Sequence, residues 1–203
     1  GITITKASHH ALKNGITPEA CLDVAAYLSK KIRIPLMFMS YYNPVFKYDL
    51  EKFCHKCTLN GIDGLIIPDL PPDEGEIIDK ICQKNDLDIV YLLAPNCSDD
   101  RIRLVSRRSK GFIYLVSVTG VTGVRNELPE NIGTFVSRVK RIAGPKPLCV
   151  GFGISTAAQA VKAARLADGI IIGSRIIQLL EPVNTAEAPL QTYIKEIRQS
   201  LDY

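Results

Sequence analysis

The sequence predicts an α/β fold in which buried parallel strands alternate with helices, and three observations carry this prediction. Short apolar runs recur along the chain, and each is apolar throughout instead of alternating with polar residues, which is typical of parallel strands buried on both faces. Helical patterns lie between these runs. Each strand and its helix together take roughly 25–30 residues, which is the length of a βα repeat and not of a solenoid.

Six strands and eight helices are expected along the chain. The strands are Ile34–Met39, Gly64–Pro68, Ile89–Ala94, Phe112–Ser117, Leu148–Val150 and Gly169–Ile172. The helices are Thr17–Ile32, Leu50–Asn60, Asp73–Asn85, Asp99–Ser109, Pro129–Ile142, Thr156–Leu166, Ser174–Leu180 and Pro189–Leu201. A helix therefore precedes the first strand, and two helices follow the last one.

Capping residues support these helix boundaries. Thr17 places a hydroxyl before a proline at the first helical position, and Ser98 and Ser155-Thr156 begin two later helices in the same way. Asn60-Gly61 and Gly111 are typical of helix ends, because glycine adopts the left-handed conformation that closes a helix.

The chain length limits the architecture. The 203 residues, 46% of them hydrophobic, suit one domain over residues 1–203. A (β/α)8 TIM barrel usually needs about 250 residues, so the chain is short by roughly 50, close to two βα units. We therefore expect a (β/α)8 barrel whose first one to two βα units are absent, and the start at Gly1 instead of Met also indicates a missing N-terminal part. A doubly wound α/β sheet is the alternative that the pattern leaves open, although an open six-stranded sheet would expose long apolar edges.

Composition excludes several classes of protein. The net charge is +4 and the cations are dispersed or sit at helix ends, so we expect no nucleic-acid surface. The six cysteines are interpreted as small buried apolar residues in a reducing compartment. The start of the chain lacks the pattern of a signal peptide, and no apolar segment approaches the roughly 18 residues of a membrane span. A cytoplasmic protein without a membrane segment is expected.

The carboxyl ends of the last two strands carry the strongest chemical signal. Gly151 and Gly153 follow the fifth strand, and Gly173-Ser174 follow the sixth, each shortly before a helix. Neighbouring glycine turns of this kind bring backbone N–H groups close to an anion, and phosphate sites are frequently built at the final strands of a barrel. The alternative is a pair of ordinary βα turns that need glycine for steric reasons.

Other candidate residues are weaker. The segment Thr119–Gly123 is typical of a loop with glycine hinges, whose threonines could bond a ligand. Cys54-x-x-Cys57 has no second cysteine pair and lies within a helical pattern, and His9-His10 fits a polar helix surface, so no metal site is expected. Tyr41 and Asp69, both at strand ends, could equally bind a ligand or pack and fix a turn. No carboxylate pair, Ser-His-Asp or Cys-His arrangement is evident.

Six motifs together resemble the tryptophan synthase alpha subunit along essentially the whole chain. They are Tyr41-Tyr42-Asn43-Pro44, Pro68-Asp69-Leu70-Pro71, Tyr114-Leu115-Val116-Ser117, Gly120-Val121-Thr122-Gly123, Gly151-Phe152-Gly153-Ile154-Ser155 and Gly173-Ser174. The resemblance implies retro-aldol cleavage of indole-3-glycerol phosphate to indole and glyceraldehyde 3-phosphate, without a metal or organic cofactor. It also implies a β-subunit partner that carries pyridoxal phosphate and receives indole through a tunnel in an αββα assembly.

The resemblance also implies roles for individual residues. The phosphate site would contain Gly123, Phe152, Gly153, Gly173 and Ser174. Thr122 would be the threonine of a closing loop that orients a catalytic aspartate, while Tyr41 and Tyr114 would lie near the reacting centre. The walls of the indole pocket would be Met39, Ile66, Leu93 and Ile171. The contacts with the β subunit would include Asn43 and Pro71.

The acid–base pair is where the sequence departs from the family. In the family, a glutamate on the second strand and an aspartate just after it transfer the protons. Gly1-Ile2-Thr3-Ile4 resembles the segment that follows that aspartate. The Glu/Asp pair is therefore expected upstream of Gly1, and the chain alone is expected to be inactive. Ile2 also replaces a usual proline, and Val118 stands where some members have arginine.

Two functions remain open from the residues and the resemblance together. The first is the alpha-subunit lyase. The second is a catalytically inactive homologue that binds ligand and activates a β subunit. A third reading, another sugar-phosphate barrel enzyme, would require different pocket residues.

Overall fold

A computed structural model describes residues 2–116, 131–151, 153–181 and 187–202. The α-helices are α1 (Ile2–Lys13), α2 (Pro18–Ser29), α3 (Tyr42–Tyr48), α4 (Leu50–Leu59), α5 (Glu76–Lys84), α6 (Asp99–Arg108), α7 (Ile132–Ala143), α8 (Ala157–Ala164), α9 (Ser174–Leu180) and α10 (Glu187–Leu201). The strands are β1 (Met37–Met39), β2 (Gly64–Ile66), β3 (Asp88–Val90), β4 (Leu92–Leu93), β5 (Ile113–Val116), β6 (Leu148–Gly151) and β7 (Gly169–Ile170), and a short 3-10 turn covers Pro72–Glu74.

The strands form two sheets. One has the order β1-β2-β3, all parallel, with Met37 opposite Gly64 and Gly64 opposite Asp88. The other has the order β4-β5-β6-β7, in which β6 and β7 are parallel. The alternation of parallel strands with helices confirms the predicted α/β class.

The described residues belong to two compact units. The first unit contains residues 12–92 and 103–113, and the second contains the described residues among 1–11, 93–102 and 114–203. Each unit has its own buried apolar core, with Leu65 and Ile78 in the first and Val139 and Leu148 in the second. A single domain over the whole chain stays a prediction.

The predicted strand Ile89–Ala94 is wrong as one element, because the chain breaks it at Tyr91 into β3 and β4. The Tyr91 N–H donates to the Ser109 hydroxyl at 3.0 Å instead of to a neighbouring strand. Its phenol donates to an Asp79 carboxylate oxygen at 2.6 Å. These two contacts interrupt the strand at Tyr91, and neither partner lies next to Tyr91 in the sequence.

Several other predicted boundaries need correction. The first strand starts at Met37 and not at Ile34, which is 71% exposed, and Met39 at its end is 56% exposed, so burial on both faces is wrong for β1. The predicted helix Asp73–Asn85 is divided at Gly75 into the 3-10 turn and α5. Helices α1 and α3 were not predicted as elements, although His9-His10 were expected on a helix and do lie on α1.

Most of the predicted caps are confirmed. The Thr17 hydroxyl accepts from the N–H of Ala20 at 3.2 Å, and the Ser98 hydroxyl accepts from the N–H of Arg101 at 3.2 Å. Gly61 follows the C-cap of α4 and has a φ of 76°, in the left-handed region that glycine enters without steric cost. Gly111 has a φ of 65° but lies three residues beyond the end of α6, so it does not close that helix as predicted. Helix ends could be predicted because capping depends on residues a few positions apart.

The cysteines are free thiols with differing burial. Cys54 and Cys57 are buried in α4, and the Cys54 and Cys82 sulfurs are 4.0 Å apart. Burial raises the pKa of Cys57 to about 12, so this thiol is neutral, whereas a metal ligand would be a thiolate. The prediction of a buried Cys21 is wrong, because this side chain is exposed.

A polar cluster ties α5 to α6 within the first unit. Arg108 Nε donates to an Asp79 carboxylate oxygen at 2.5 Å, and Arg108 Nη1 donates to the Pro72 carbonyl. The side chains of Arg108 and Asp79 are only 17% and 22% exposed. Asp79 therefore accepts from both Arg108 and Tyr91, and the arrangement holds the break between β3 and β4 in place.

We expect Arg108→Ala to lower the free energy of unfolding by about 2–3 kcal/mol. Breaking a buried ion pair costs roughly 3–5 kcal/mol, and the remaining exposure of this pair reduces that cost. Urea unfolding of the two proteins measures the difference. Lys80→Ala is the control, because it removes the Lys80–Glu76 pair, whose side chains are both 73% exposed, and should change nothing measurable. Equal effects of the two substitutions would contradict the role given to Arg108.

Candidate functional site

A cleft of about 80 Å³ lies in the second unit, where the carboxyl ends of β5, β6 and β7 meet. A water molecule needs roughly 10–15 Å³ of such space, so the cleft can hold a group of several heavy atoms. It is lined by Ile4, Tyr114, Gly151, Gly153, Ile154, Ser155, Ile171, Gly173, Ser174 and Arg175. The structure thus brings together the predicted residues Tyr114, Gly153, Ile171, Gly173 and Ser174.

Two glycines give the cleft its open backbone. Gly153 has a φ of 67°, which favours glycine. A Cβ on Gly173 would meet nothing within 4 Å, so the space beside this residue is free for a ligand. Gly173 is also the N-cap of α9 and, as a glycine, has no side chain that could accept from the first N–H groups of the helix. The first N–H groups of α9 have no partner within the helix and are therefore available to an anion.

The start of α8 differs from that of α9. Its Thr156 and Gln159 form a capping box, in which the Thr156 hydroxyl accepts from the Gln159 N–H. The Gln159 amide oxygen accepts from the N–H groups of Ser155 and Thr156 at 2.8 and 3.1 Å. These two N–H groups are already satisfied, so the turn before α8 offers fewer free donors to an anion than the predicted pair of glycine turns implied. The Thr156-x-x-Gln159 spacing is a known capping signal and could have revealed this.

Gly151 has a different role from the one predicted. A Cβ at this position would lie 2.6 Å from Tyr114 Cε2 and 2.6 Å from Tyr114 Oη. The absence of a side chain therefore makes room for the Tyr114 ring and not for a ligand. Burial raises the pKa of Tyr114, so the phenol stays neutral and can donate a hydrogen bond. The glycine and the tyrosine act together to shape one wall of the cleft.

Arg175 lines the cleft although no sequence motif predicted it there. It is the second residue of α9 and, among the described residues that line the cleft, the only one with a charged side chain. Its guanidinium carbon lies 5.9 Å from the centroid of the Tyr193 ring. The arginine that follows Gly173-Ser174 was visible in the sequence, but its direction towards the cleft was not.

The remaining predicted residues lie elsewhere. In the first unit, Met39 pairs with Ile66 across β1 and β2, and Met39 lines an apolar cavity of about 230 Å³ together with Phe38 and Phe53. Leu93 lies in β4 of the second unit and is buried. Thr122, Gly123 and Phe152 lie outside the described residues.

The segments that follow β1 and β2 contain exposed residues and are joined to each other. Tyr41 is 59% exposed and forms the N-cap of α3, while Asn43 and Pro71 are also exposed. An Asp69 carboxylate oxygen accepts from the N–H of Tyr42 at 2.8 Å, which joins the segments after β1 and β2. Of the two roles considered for Asp69, this contact supports the fixing of a turn.

The described residues contain neither a cluster of metal-binding side chains nor a membrane-spanning helix. Within residues 2–116, 131–151, 153–181 and 187–202, no group of three or more His, Cys, Asp or Glu side chains is arranged to hold a metal ion. None of the helices in this same part of the chain is both long and apolar enough to cross a membrane.

Comparisons with known proteins agree with the strand-end motifs. The family model of the tryptophan synthase alpha chain matches residues 1–201. A tryptophan synthase alpha chain of Dehalococcoides mccartyi is 54% identical over 202 residues, which are 100% of this chain and 78% of that protein. A second one, of a Roseiflexus species, is 43% identical over 92% of this chain and 72% of that protein. The solved tryptophan synthase α2β2 complex of the hyperthermophile Pyrococcus furiosus contains a chain with a TM-score of 0.91 and 29% identity, covering 98% of this chain and 81% of that one.

Proposed function

The chain belongs to the tryptophan synthase alpha chain family, and on that premise we propose that the cleft at the ends of β5, β6 and β7 binds the phosphate of its substrate. The family's enzyme is a lyase of tryptophan biosynthesis with the TIM-barrel fold, and it cleaves indole-3-glycerol phosphate to indole and glyceraldehyde 3-phosphate. The single observation that supports the site is the free space beside Gly173 at the start of α9.

The phosphate is proposed to bind to backbone groups. Gly153, Gly173 and Ser174 line the cleft together, and α9 offers N–H groups without partners in the helix. The positive end of the helix dipole adds to the attraction for an anion. Gly123 and the backbone of Phe152 stay predictions for the same site.

The reaction breaks the bond between indole C3 and the glycerol side chain. Indole C3 keeps the electron pair and takes up a proton, while the adjacent glycerol hydroxyl loses its proton and becomes the aldehyde. Both steps need a general acid or base. None of the carboxylates in the described residues lines the cleft, and the acid and base stay the Glu/Asp pair predicted from the resemblance. Tyr114 and Ile171 are proposed to contact the substrate beside the phosphate, with Tyr41, Met39, Ile66 and Leu93 as further predicted pocket residues.

The partner of this alpha chain is the β subunit of tryptophan synthase, as in the α2β2 complex of Pyrococcus furiosus. The alpha subunit uses no cofactor, and pyridoxal phosphate belongs to the β subunit. We propose that Asn43 and Pro71 contact the β subunit, because both are exposed in the joined segments that follow β1 and β2. Thr122 stays the predicted threonine of the closing loop. A cytoplasmic location is proposed from the family's biosynthetic role and the six free thiols.

Genetic complementation tests the function. We expect the gene, with the native region upstream of Gly1 that would encode the predicted Glu/Asp pair, to restore growth without tryptophan to a bacterium that lacks its own alpha subunit. The same gene with Gly173→Val should fail, because the added side chain would fill the phosphate cleft. Failure of the unsubstituted gene, combined with stimulation of a β subunit by its product, would favour the inactive activating homologue instead.

A further inference from the structure

We propose that Arg175 binds the phosphate of the substrate directly and supplies the cation of the cleft, an inference that rests on the proposed function. Backbone N–H groups provide hydrogen bonds but only partial charge, whereas a phosphate monoester carries a charge of roughly −1.5 to −2 at pH 7. Among the described lining residues, Arg175 has the only full charge. Arginine also suits phosphate because its planar fork donates two parallel hydrogen bonds.

The charge of Arg175 has no carboxylate partner within the described part of the chain. Three other arginines have such a partner, since Arg108 pairs with Asp79, Arg138 with Asp99, and Arg198 with Asp202. Arg165, which is in no such pair within the same part of the chain, is exposed. Arg175 is also only partly exposed, so solvent screens its charge less than that of a surface arginine. A half-buried cation without a counter-ion, placed beside free N–H groups, is complementary to an anion.

The position of Arg175 in its helix supports the same conclusion. A cation in the first turn of a helix is unfavourable, because the helix dipole is positive there. Arginine at the second position of α9 therefore contributes nothing to the stability of the helix end. A phosphate bound in the cleft would offset this cost, because its negative charge would attract the guanidinium.

Tyr193 is the residue that positions Arg175. Its ring is buried on α10 and lies below the guanidinium, with 5.9 Å between the guanidinium carbon and the ring centroid. The Tyr193 hydroxyl is buried and has no hydrogen-bond partner among the described residues, so the ring and not the hydroxyl makes the useful contact. A cation–π contact of this kind limits the directions that the arginine can take.

The test is calorimetric titration of the protein, including its native region upstream of Gly1, with glycerol 3-phosphate and with inorganic phosphate. Arg175→Met keeps an apolar stem against Tyr193 but removes the charge. We expect it to raise both Kd values roughly 10- to 100-fold, because hydrogen bonds to a charged group contribute about that much. Arg165→Met is the matched control, because it changes the net charge by the same amount. Arg165 is exposed and does not line the cleft. Arg175→Lys should recover part of the affinity.

The Tyr193 variants separate positioning from folding. Tyr193→Phe keeps the ring and should leave both Kd values unchanged, whereas Tyr193→Leu should raise them several-fold. Thermal unfolding of each variant shows that binding is measured on folded protein. If the unsubstituted protein binds neither probe, the assignment of phosphate to this cleft is wrong, and the role of Arg175 is then wrong as well. If the unsubstituted chain binds and Arg175→Met matches Arg165→Met, only the role of Arg175 is overturned.

Discussion

Gly173→Val is expected to abolish measurable binding of glycerol 3-phosphate while leaving the fold intact. A Cβ at Gly173 would meet nothing within 4 Å, so the new side chain would occupy the cleft without a steric clash with the rest of the protein. The cleft holds only about 80 Å³, and the valine methyl groups would keep the phosphate from the N–H groups of α9. Each hydrogen bond to the charged ligand contributes roughly 1.5–3 kcal/mol, so losing two of them lowers the affinity about 100-fold or more.

Calorimetric titration and thermal unfolding together measure this prediction. Ser174→Ala is the matched comparison at the next position, because it removes a hydroxyl but keeps the backbone N–H. We expect the alanine variant to lose much less affinity than Gly173→Val. An unchanged Kd for Gly173→Val would mean that the phosphate binds elsewhere. A lower unfolding temperature would mean that the space beside Gly173 is needed by the protein itself.

Gly151→Ala is expected to lower the free energy of unfolding by about 1–3 kcal/mol, the usual cost of overpacking a filled site. The added Cβ would lie within 2.6 Å of two Tyr114 atoms and 2.9 Å from Cζ, distances at which the ring must move. The displaced ring would also change the wall of the cleft, so phosphate affinity should fall as well. Urea unfolding measures the stability, and titration measures the affinity.

Two further variants make the result specific to the Gly151–Tyr114 contact. Tyr114→Leu in the Gly151→Ala background should recover part of the lost stability, because it removes the ring with which the new methyl group clashes. Gly133→Ala in α7 is the control for adding a methyl group, since its Cβ would meet only a Leu166 methyl at 3.8 Å. We expect Gly133→Ala to change the free energy of unfolding by less than about 0.5 kcal/mol, because Gly133 lies in the first turn of α7 and the added methyl group has room. If Gly133→Ala lowered the free energy of unfolding as much as Gly151→Ala, the steric explanation would be contradicted.

The sequence alone determined that strands alternate with helices, where several helices begin, and which strand ends carry glycine. Each of these depends on residues a few positions apart, as in the cap of Thr17 on the N–H of Ala20 or the left-handed turn at Gly61. The resemblance to a family also came from such local motifs. Gly153, Gly173 and Ser174 could therefore be named as one site before any contact between them was known.

Only the tertiary structure decided how individual residues serve that site. Tyr91 breaks a strand because Ser109 and Asp79 bond it from other elements, and Gly151 is required by a tyrosine on the neighbouring strand. Arg175 faces the cleft and Tyr193 because α9 and α10 pack against each other. The spacing of apolar residues in a sequence indicates which face of a helix or strand is apolar. It does not indicate which residues of other elements pack against that face. Contacts between residues far apart in the chain arise only when the elements pack together. This packing decides which residues line the cleft and which ones support the lining residues.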